Sequence, residues 1–409
     1  MNTPFYHREA AAKVRELSAQ FPCVLVTGAR QVGKSTMLKA MMPEGMRYIT
    51  LDDYRIADQA QSDPIGLLEA YGTPLCLDEI QYAPQLLRAI KMKVDAEKKP
   101  GMYWLTGSQR FRMMKGVSES LVGRIGILEL QSLSQREIAG AGQRAVPFSG
   151  APASVGMADA ACCNIEELYR RIWRGGYPAL HENPARDLHD YFTAYLQTYI
   201  QRDVQDLLQV SNHTAFHRFI QSAAARSGQQ LVYADLARDA DISPNTAKSW
   251  VSVLEASGII SLLPPYYINT SKRLTKSPKL YFCDTGLCAW LCRWTSPETL
   301  QHGAFAGAIL ETWVYNQLAR SYTNAGLQPP LYYYRDNNGA EVDFLLIRDG
   351  TLLPVEVKKS DSPKASALSA VRSIPTAPAD TILPGIVLCT AQTAFPLSPT
   401  ARAFPISAL

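Results

Sequence analysis

The sequence feature that most constrains the fold is Gly28-x-x-x-x-Gly33-Lys34-Ser35, in the stretch "CVLVTGARQVGKSTML". The apolar run that ends at Thr27 predicts a buried strand, and the residues from Lys34 onward predict a helix. In such a strand–loop–helix unit, glycines let backbone N–H groups wrap phosphates, and the helix N-terminus adds positive potential. The pattern therefore predicts a phosphate-binding P-loop. The alternative is a glycine-rich turn with a surface lysine.

The predicted loop assigns a role to each of its polar side chains. Lys34 would reach the β- and γ-phosphates, and the Ser35 hydroxyl would hold Mg²⁺. We therefore expect ATP and Mg²⁺ as ligands. The predicted nucleotide-binding residues of the loop are Gly28, Ala29, Arg30, Gln31, Val32, Gly33, Lys34, Ser35 and Thr36.

Two acidic residues close the next apolar run, in "TPLCLDEIQ". Ligands of parallel sheets bind at the carboxyl ends of the strands, which places Asp78 and Glu79 beside the nucleotide. Asp78 would belong to the nucleotide-binding site and position Mg²⁺ through water, and Glu79 would polarise the attacking water. The alternative is a strand end that merely faces solvent.

Two further candidates follow a third apolar run, "GMYWLTGSQRF". Ser108 is predicted to sense the γ-phosphate, with Thr106 as the alternative and a simple turn as a further one. Arg124, in "SLVGRIGILEL", is predicted to complete a neighbour's ATP site as an arginine finger, a role that requires an oligomer. It is otherwise an arginine at a helix C-terminus, where the macrodipole favours a cation.

The strings "VTGARQVGKSTML", "LDEIQ", "LTGSQ" and "SLVGRIGILEL" strongly resemble a family of bacterial and archaeal AAA-type ATPases with a C-terminal domain of unknown function. The later stretches "RGGYPAL", "YLQTYIQRDVQDL" and "PKLYFCDTGLCAWL" are similar to the same family. The resemblance runs along nearly the whole chain. It implies an AAA-type P-loop fold and ATP binding.

The stretch "ISPNTAKSWVSVLEASGII" predicts the second helix of a helix–turn–helix. Ser243 suits the N-cap, Pro244 suits the first helical position, and Gly258 suits the end. A hairpin after it gives the winged-helix order. Predicted outward side chains on the helix are Asn245, Thr246, Lys248 and Ser249, and the hairpin adds Lys272, Arg273, Lys276 and Lys279. This surface would neutralise DNA phosphates; alternatively, the module packs domains together or binds a protein.

The C-terminal stretch "NNGAEVDFLLIRDGTLLPVEVKK" predicts a hairpin that turns at Arg348-Asp349-Gly350. Asp343 lies on its first strand, and Glu356 and Lys358 share one face of its second because side chains alternate along a strand. Upstream, the predicted helix "AFAGAILETWVYNQLARSY" carries Glu311 among apolar residues, where an acid is costly to bury without a partner.

Glu311, Asp343, Glu356 and Lys358 together resemble the site of the restriction-endonuclease-like superfamily, and "GAEVDFLL" and "PVEVKK" are similar to its RecB-like branch. The three carboxylates would hold Mg²⁺ or Mn²⁺ through hard oxygen ligands. Lys358 would activate water and stabilise charge at a scissile phosphate. Two alternatives stay open: a structural ion-pair cluster, or a nuclease fold retained only for binding.

Chain-wide properties set the remaining expectations. The 409 residues suggest two to three domains, and a net charge of +4 permits a nucleic-acid partner without demanding one. No apolar run is long enough for a bilayer, and the scattered cysteines lack zinc-site spacing, so we expect a cytoplasmic protein with reduced thiols and no membrane partner. The predicted α/β architecture comprises a P-loop AAA-type domain (1–138), a linker and helical lid (139–210), a winged-helix-like domain (211–290) and a restriction-endonuclease-like α/β domain (291–409).

These features predict a Mg²⁺-dependent AAA-type ATPase that acts on or with DNA through its C-terminal region. One alternative is a metal-dependent nuclease licensed by ATP. Another is a nucleotide-dependent scaffold that binds a protein partner and has no nuclease activity.

Overall fold

The computed structural model describes residues 6–107, 120–141, 144–150, 163–199, 213–269 and 276–409. Its N-terminal part is a parallel sheet in the order β2-β3-β4-β1-β5. The strands are β1 (Cys23–Thr27), β2 (Arg47–Thr50), β3 (Leu75–Asp78), β4 (Tyr103–Gly107) and β5 (Ile125–Glu129). The helices are α1 (Ala10–Gln20), α2 (Lys34–Met41), α3 (Tyr54–Ser62), α4 (Pro64–Tyr71) and α5 (Leu86–Glu97).

Strands β1, β3 and β4 are buried along their whole length. Their near-continuous apolar sequences are typical of parallel strands covered by helices on both faces. The three runs predicted from sequence as buried strands are confirmed. Because β1, β3 and β4 run parallel, the loop after Thr27 and the acidic end of β3 lie at the same edge of the sheet.

The middle of the chain is largely helical. Its first helices are α6 (Gln135–Ile138), α7 (Ile165–Arg174), α8 (Pro178–Glu182) and α9 (Leu188–Tyr199). They are followed by α10 (His213–Ala225), β6 (Gln229–Gln230), α11 (Tyr233–Ala240), α12 (Pro244–Ala256), β7 (Ile260–Leu263) and β8 (Lys279–Phe282). The three strands form an antiparallel sheet in the order β6-β8-β7.

The start of α12 follows the predicted local chemistry. The Ser243 side chain accepts a hydrogen bond from the Thr246 backbone N–H, and Pro244 occupies the first helical position. Gly258, two residues beyond the end of α12, adopts φ +71°. The capping signals in the sequence therefore fixed both ends of this helix correctly to within a residue or two.

The C-terminal part places helices beside a mixed sheet. The helices are α13 (Thr285–Leu291), α14 (Pro297–His302) and α15 (Ala306–Thr323). The strands are β9 (Leu331–Arg335), β10 (Glu341–Arg348), β11 (Thr351–Lys358), β12 (Thr381–Ile382), β13 (Gly385–Cys389), β14 (Phe395–Ser398) and β15 (Ala401–Pro405). The sheet order is β14-β15-β13-β11-β10-β9, with β12 paired to β11. Strands β9, β10 and β11 are antiparallel neighbours, and β11, β13 and β15 are parallel.

The predicted hairpin is confirmed. Strands β10 and β11 pair as Phe344↔Val355 through Arg348↔Thr351. Asp349 and Gly350 make the turn with φ +50° and +75°, the positive values that a two-residue hairpin favours.

Part of the segment predicted as a linker is packed. Phe148 is buried, its backbone N–H donates to Ser321 Oγ, and its carbonyl accepts from the Tyr322 hydroxyl. A Cβ on Gly150 would lie 2.7 Å from a Leu353 side-chain carbon. The low-charge composition of this segment thus reflects contact with the C-terminal part, while 142–143 and 151–162 lie outside the described residues.

Buried Arg320 of α15 joins the three parts of the chain. Its guanidinium donates to Ser132 Oγ (2.6 Å), the Leu133 carbonyl (3.0 Å) and the Cys283 carbonyl (2.7 Å). The segment after β5 is therefore held between the middle and C-terminal parts. Among the described helices, none is long and apolar enough to cross a membrane.

Candidate functional site

The loop between β1 and α2 has a backbone that requires glycine. Gly28 adopts φ +144°, and a Cβ there would lie 2.0 Å from the Leu130 carbonyl oxygen. Gly33 adopts φ +92° directly before α2, which begins at Lys34 as predicted. The glycine spacing therefore shapes a loop that ends on a helix N-terminus, the arrangement that binds phosphates.

The Lys34 ammonium lies inside this loop. Lys34 is buried, and its Nζ donates to the carbonyl oxygens of Gly28 (3.1 Å) and Ala29 (2.8 Å). The loop carbonyls thus hold the Lys34 ammonium inside the loop. In P-loops, the lysine at this position contacts the β- and γ-phosphates.

Asp78 is the centre of a hydroxyl network at the edge of the sheet. Its carboxylate accepts from Ser35 Oγ (2.7 Å), from the Tyr48 hydroxyl (2.6 Å) and from Thr106 Oγ1. The predicted pair of Ser35 and Asp78 is therefore in direct contact. A hydroxyl and a carboxylate oxygen side by side are ligands of the hard kind that Mg²⁺ prefers, so these residues fit that ion.

Tyr48 is a contributor that sequence reasoning missed. It lies on β2, and only the adjacency of β2 and β3 brings its hydroxyl to Asp78. Burial, followed by the hydrogen bond to Asp78, raises the pKa of the Tyr48 hydroxyl well above its usual value, so it stays a donor. The Lys39 ammonium lies 4.1 Å from the centre of the Tyr48 ring, within the range of a cation–π interaction.

Glu79 follows Asp78 in a strained conformation. Its φ is +57°, which is uncommon for a residue with a side chain and concentrates at functional sites. Its backbone N–H donates to Thr106 Oγ1 (3.1 Å), and its carboxylate accepts from the Gln81 side-chain amide. Thr106, the alternative to Ser108, therefore touches both acidic residues. Ser108 itself lies outside the described residues.

A cavity of about 480 Å³ opens above the loop, a size typical of small-ligand sites. Side chains of the loop and of Glu79 line one wall, and α8 and α9 supply the other. The lining residues are Arg30, Gln31, Gly33, Lys34, Ser35, Thr36, Glu79, Pro178, Ala179, Glu182 and Thr198. Ala29 and Val32 are absent from this lining and are buried, so their side chains face away from the predicted phosphates.

The middle of the chain contacts the loop directly. The Tyr191 hydroxyl of α9 donates to Gln31 Oε1 at 2.7 Å. A Cβ on Gly258, after α12, would lie 3.4 Å from the Ala29 backbone nitrogen. Arg8, ahead of α1, donates to the Val32 carbonyl at 2.7 Å and pairs with buried Glu137. The phosphate loop is therefore braced from several directions by elements outside its own sheet.

Arg124 lies away from this site. It directly precedes β5, and its carbonyl accepts from the Cys23 N–H at the amino end of β1, the edge opposite the loop. Its guanidinium donates to the Asp95 carboxylate. Arg124 thus takes no part in the nucleotide site of its own chain, and a role in a neighbour's site stays a prediction.

The C-terminal sheet gathers three of the four residues predicted there on one face. Asp343 Oδ2 accepts from the Val357 N–H (2.8 Å), and Glu356 Oε2 accepts from the Asp343 N–H (3.3 Å). Lys358 Nζ donates to Glu356 Oε1 at 2.6 Å. The alternation read from the sequence therefore gives the correct face for Glu356 and Lys358.

Glu311 joins this group from α15, but its contacts are to a lysine of the middle sheet. Its Oε1 accepts from Lys279 Nζ (3.0 Å) and from the Tyr281 hydroxyl (2.5 Å). Lys279 also pairs with Glu341 Oε1 at 2.5 Å, and its side chain is 3% exposed. The prediction that Lys279 belongs to a solvent-facing basic surface is therefore wrong, because its side chain is buried and its ammonium pairs with Glu311 and Glu341.

Burial dominates the electrostatics of this cluster. It raises the pKa of Glu356 to about 8 and that of Glu311 to about 7, and the nearby charge of Asp343 adds to both. Burial also raises the pKa of Asp343. For Lys358, burial opposes the charged form, but the attraction of Glu356 outweighs it and raises the pKa. Burial therefore favours the neutral forms of the carboxyl groups in this cluster, and the lysines oppose that effect.

The predicted metal site at Glu311, Asp343 and Glu356 stays a prediction. Across the described ranges, no three acidic, histidine or cysteine side chains are arranged to hold a metal ion. The carboxylate oxygens instead face the Lys279 and Lys358 ammonium groups and backbone N–H groups.

Three of the four residues predicted to face outward on α12 are exposed to solvent. Asn245, Lys248 and Ser249 are exposed, while Thr246 is half-buried and contacts Ser243. Lys276 is exposed ahead of β8. Lys272 and Arg273 lie outside the described residues.

Comparison with known families divides the chain into three matched regions. Residues 20–139 match the AAA domain family. Residues 165–298 and 306–409 match two domains of unknown function (DUF8612 and DUF4143). The N-terminal part of the chain is therefore an AAA-type P-loop ATPase domain, and it is followed by regions whose families carry no assigned function.

Similar proteins span most of the chain. Two uncharacterized proteins, Mb2031c of Mycobacterium bovis and Rv2008c of Mycobacterium tuberculosis, are each 29% identical over 404 residues, covering 97% of this chain and 83% of theirs. The solved Walker-type ATPase PABY2304 of Pyrococcus abyssi aligns with a TM-score of 0.43 and 14% identity, covering 70% of this chain and 96% of that one.

Proposed function

We propose that this protein is a Mg²⁺-dependent ATPase that hydrolyses ATP at its P-loop and acts on or with DNA through its later segments. The observation that carries the proposal is the network around Asp78. The carboxylate holds the Ser35 hydroxyl of the loop, and Thr106 connects it to the backbone of Glu79. The groups predicted to bind phosphate, hold Mg²⁺ and activate water thus lie together at one edge of the sheet.

Each side chain then has a defined part in hydrolysis. Lys34 and the loop N–H groups bind and orient the phosphates. Ser35 and Asp78 would hold Mg²⁺, which supplies charge neutralisation at the phosphates. Glu79 accepts a proton from the attacking water, and Thr106 fixes the backbone of Glu79 so that its carboxylate faces the cavity.

Nucleotide binding and turnover in single variants test this proposal. Lys34→Ala should lose ATP binding because the charge inside the loop is gone. Glu79→Gln should still bind ATP, yet turn it over at least about a hundredfold more slowly, the usual contribution of a general base. Unchanged turnover in Glu79→Gln would reject the assigned base while leaving nucleotide binding intact.

The action on DNA is supported by the middle segment. Helices α10, α11 and α12 and the three-stranded sheet follow the order of a winged helix, and α12 exposes Asn245, Lys248 and Ser249. Lys248→Ala should weaken DNA retention and reduce its salt dependence, because one phosphate contact is lost. Lys99→Ala, an exposed lysine of the ATPase domain with 72% side-chain exposure, is the matched control.

A metal-dependent nuclease licensed by ATP is the second candidate. It is favoured by the position of Asp343, Glu356 and Lys358 on one face of the hairpin. DNA cleavage in the presence of Mn²⁺ and ATP, lost in Glu356→Ala and Lys358→Ala while ATP turnover persists, is the expected result. If DNA stays intact and is not retained, the protein-binding scaffold gains support.

A further inference from the structure

Arg8, just ahead of α1, lies buried against the phosphate loop. Its side chain is 4% exposed, and its guanidinium donates three hydrogen bonds, to Glu137 Oε1 (3.0 Å), the Val32 carbonyl (2.7 Å) and the Gln131 carbonyl (2.7 Å). A planar guanidinium holds its acceptors in fixed directions, which the ammonium of a lysine does not. The side chain therefore fixes the direction of the Val32 carbonyl relative to the segment after β5.

The direction of the Val32 carbonyl also sets the direction of the next N–H group in the loop. The peptide bond between Val32 and Gly33 is trans. In a trans peptide unit, the carbonyl and the following N–H lie in one plane and point to opposite sides of the chain. Because Arg8 draws the carbonyl to one side, the Gly33 N–H is aimed at the other. Gly33 lines the nucleotide cavity and Val32 does not, which agrees with an N–H that faces the cavity.

The Gly33 N–H is available for a ligand. Among the described residues it donates to no protein acceptor, whereas the Gly33 carbonyl accepts from the Met37 N–H of α2 at 2.9 Å. Backbone N–H groups at such a helix N-terminus are the groups that bind phosphate. A Cβ on Gly33 would lie 3.5 Å from Arg8 Nη1, so the guanidinium and this peptide unit are immediate neighbours.

Arg8 is itself held by a fully buried carboxylate. The Glu137 side chain is 0% exposed, and it also accepts from the Glu9 N–H (2.9 Å) and the Ser134 N–H (2.9 Å). A buried ion pair is maintained only when its geometry is good and further hydrogen bonds satisfy the remaining lone pairs. These bonds fix both carboxylate oxygens, so the guanidinium has a defined position before any nucleotide binds.

We propose that Arg8 is a positioning residue for phosphate binding: its bond to the Val32 carbonyl holds the Gly33 N–H toward the nucleotide phosphates. This role rests on the proposed ATPase function and adds to its site a residue from outside the loop pattern. With Arg8 in place, the peptide unit does not have to turn when a nucleotide binds. Without it, the unit can rotate, and a carbonyl oxygen turned toward the cavity would repel the phosphates.

Phosphate affinity and ATP kinetics of the full chain test this role. Arg8→Met keeps an unbranched side chain and removes the donors, so it should weaken the binding of inorganic tripolyphosphate at least about tenfold in calorimetric titrations. The KM for ATP should rise by a similar factor while kcat changes less than about threefold, because the Gly33 N–H contacts bound ATP and the transition state alike. Arg136→Met is the matched control. Arg136 pairs with Glu9 at 2.9 Å in the same ionic network and, within the described residues, bonds no atom of the loop, so both quantities should stay unchanged.

A second variant keeps the test decisive if Arg8→Met does not fold. Arg8→Lys still neutralises buried Glu137, but one ammonium does not replace the planar fork at both carbonyls, so tripolyphosphate should again bind more weakly than to the unsubstituted protein.

Equal tripolyphosphate affinity in the unsubstituted protein and the folded Arg8 variants would overturn the positioning role and leave the ATPase function standing. An equal loss of affinity in Arg136→Met would assign the effect to the ionic network as a whole and overturn the role as well. If the unsubstituted protein bound neither tripolyphosphate nor ATP, the nucleotide site itself would be rejected, and the role of Arg8 with it.

Discussion

Gly258 lies against Ala29: a Cβ on Gly258 would stand 3.4 Å from the Ala29 backbone nitrogen and 3.5 Å from the Ala29 Cβ. Gly258 follows the helix whose outer face is proposed to contact DNA, and Ala29 belongs to the phosphate loop. A rearrangement of the phosphate loop around a nucleotide would therefore reach the turn after α12 through this contact.

Substitution of Gly258 tests that route. Gly258→Asn tolerates the positive φ of 71°, and it adds polar atoms beyond a Cβ that would already contact Ala29, so ATP affinity should fall at least about tenfold. Gly45→Asn is the control, since Gly45 has φ +83° and, among the described residues, no atom within 4 Å of a Cβ placed there. Nucleotide titration of both variants measures the two ATP affinities. Equal affinities would show that Gly258 does not influence nucleotide binding by the phosphate loop.

Tyr48 is expected to hold Asp78 in place. Tyr48→Phe removes the hydroxyl that donates to the carboxylate at 2.6 Å, so the Mg²⁺ concentration for half-maximal turnover should rise about tenfold, equivalent to roughly 1.4 kcal/mol. Tyr103→Phe on β4 is the matched control, because the buried Tyr103 hydroxyl has no hydrogen-bonding partner in the part of the chain that the structure describes. Identical Mg²⁺ profiles for the two variants would contradict the role of Tyr48.

Thr106 is expected to act through its hydroxyl. Thr106→Val keeps the shape but loses the bonds to Asp78 and to the Glu79 N–H, so turnover should fall roughly ten- to a hundredfold with little change in ATP binding. Thr106→Ser retains the hydroxyl and should restore most of the rate. Failure of serine to rescue would mean that packing of the methyl group, rather than the hydrogen bonds, matters at this position.

His181 gives the fold a measurable pH dependence. Burial lowers its pKa from the ordinary value of 6.5, and its Nε2–H donates to the Gly175 carbonyl at 2.9 Å. As the pH falls below about 6.5, the unfolded chain binds a proton that the folded chain resists, so the free energy of unfolding decreases. His181→Gln keeps a donor and should flatten this loss in urea titrations between pH 7.5 and 5.5, by up to about 1.4 kcal/mol per unit of pKa shift.

Exposed His302→Gln serves as the control for that measurement. It should leave the pH dependence of the unfolding free energy as it is in the unsubstituted protein. A flattening of the same size in both variants would show that the effect is not specific to the partly buried His181 imidazole.

The parts of the site that sequence reasoning predicted correctly are those set by local chemistry. Gly28 and Gly33 occupy positions whose positive φ values are unfavourable for residues with a side chain, and the helix begins at Lys34. The alternation of Glu356 and Lys358 likewise follows from the geometry of a single strand. Such features depend on neighbours in sequence, so a pattern is enough to find them.

The features that sequence reasoning missed depend on contacts between distant segments. Tyr48 reaches Asp78 only because β2 pairs with β3. Lys279 looks like one of a row of surface cations, and its burial against Glu311 follows from how the middle sheet meets α15. Phe148 lies in a stretch with linker-like composition but packs against α15. No local pattern encodes these pairings.

Coupling between ATP hydrolysis and DNA is tested most directly by measuring ATP turnover with Mg²⁺, with and without duplex DNA, and by scoring DNA integrity on the same samples. Lys34→Ala and Glu356→Ala controls separate the P-loop from the C-terminal cluster. We expect DNA to stimulate ATP turnover in the unsubstituted protein, and turnover to be lost in Lys34→Ala and retained in Glu356→Ala. ATP turnover that is identical with and without DNA, together with no DNA retention, would contradict this coupling and favour a nucleotide-dependent scaffold for a protein partner.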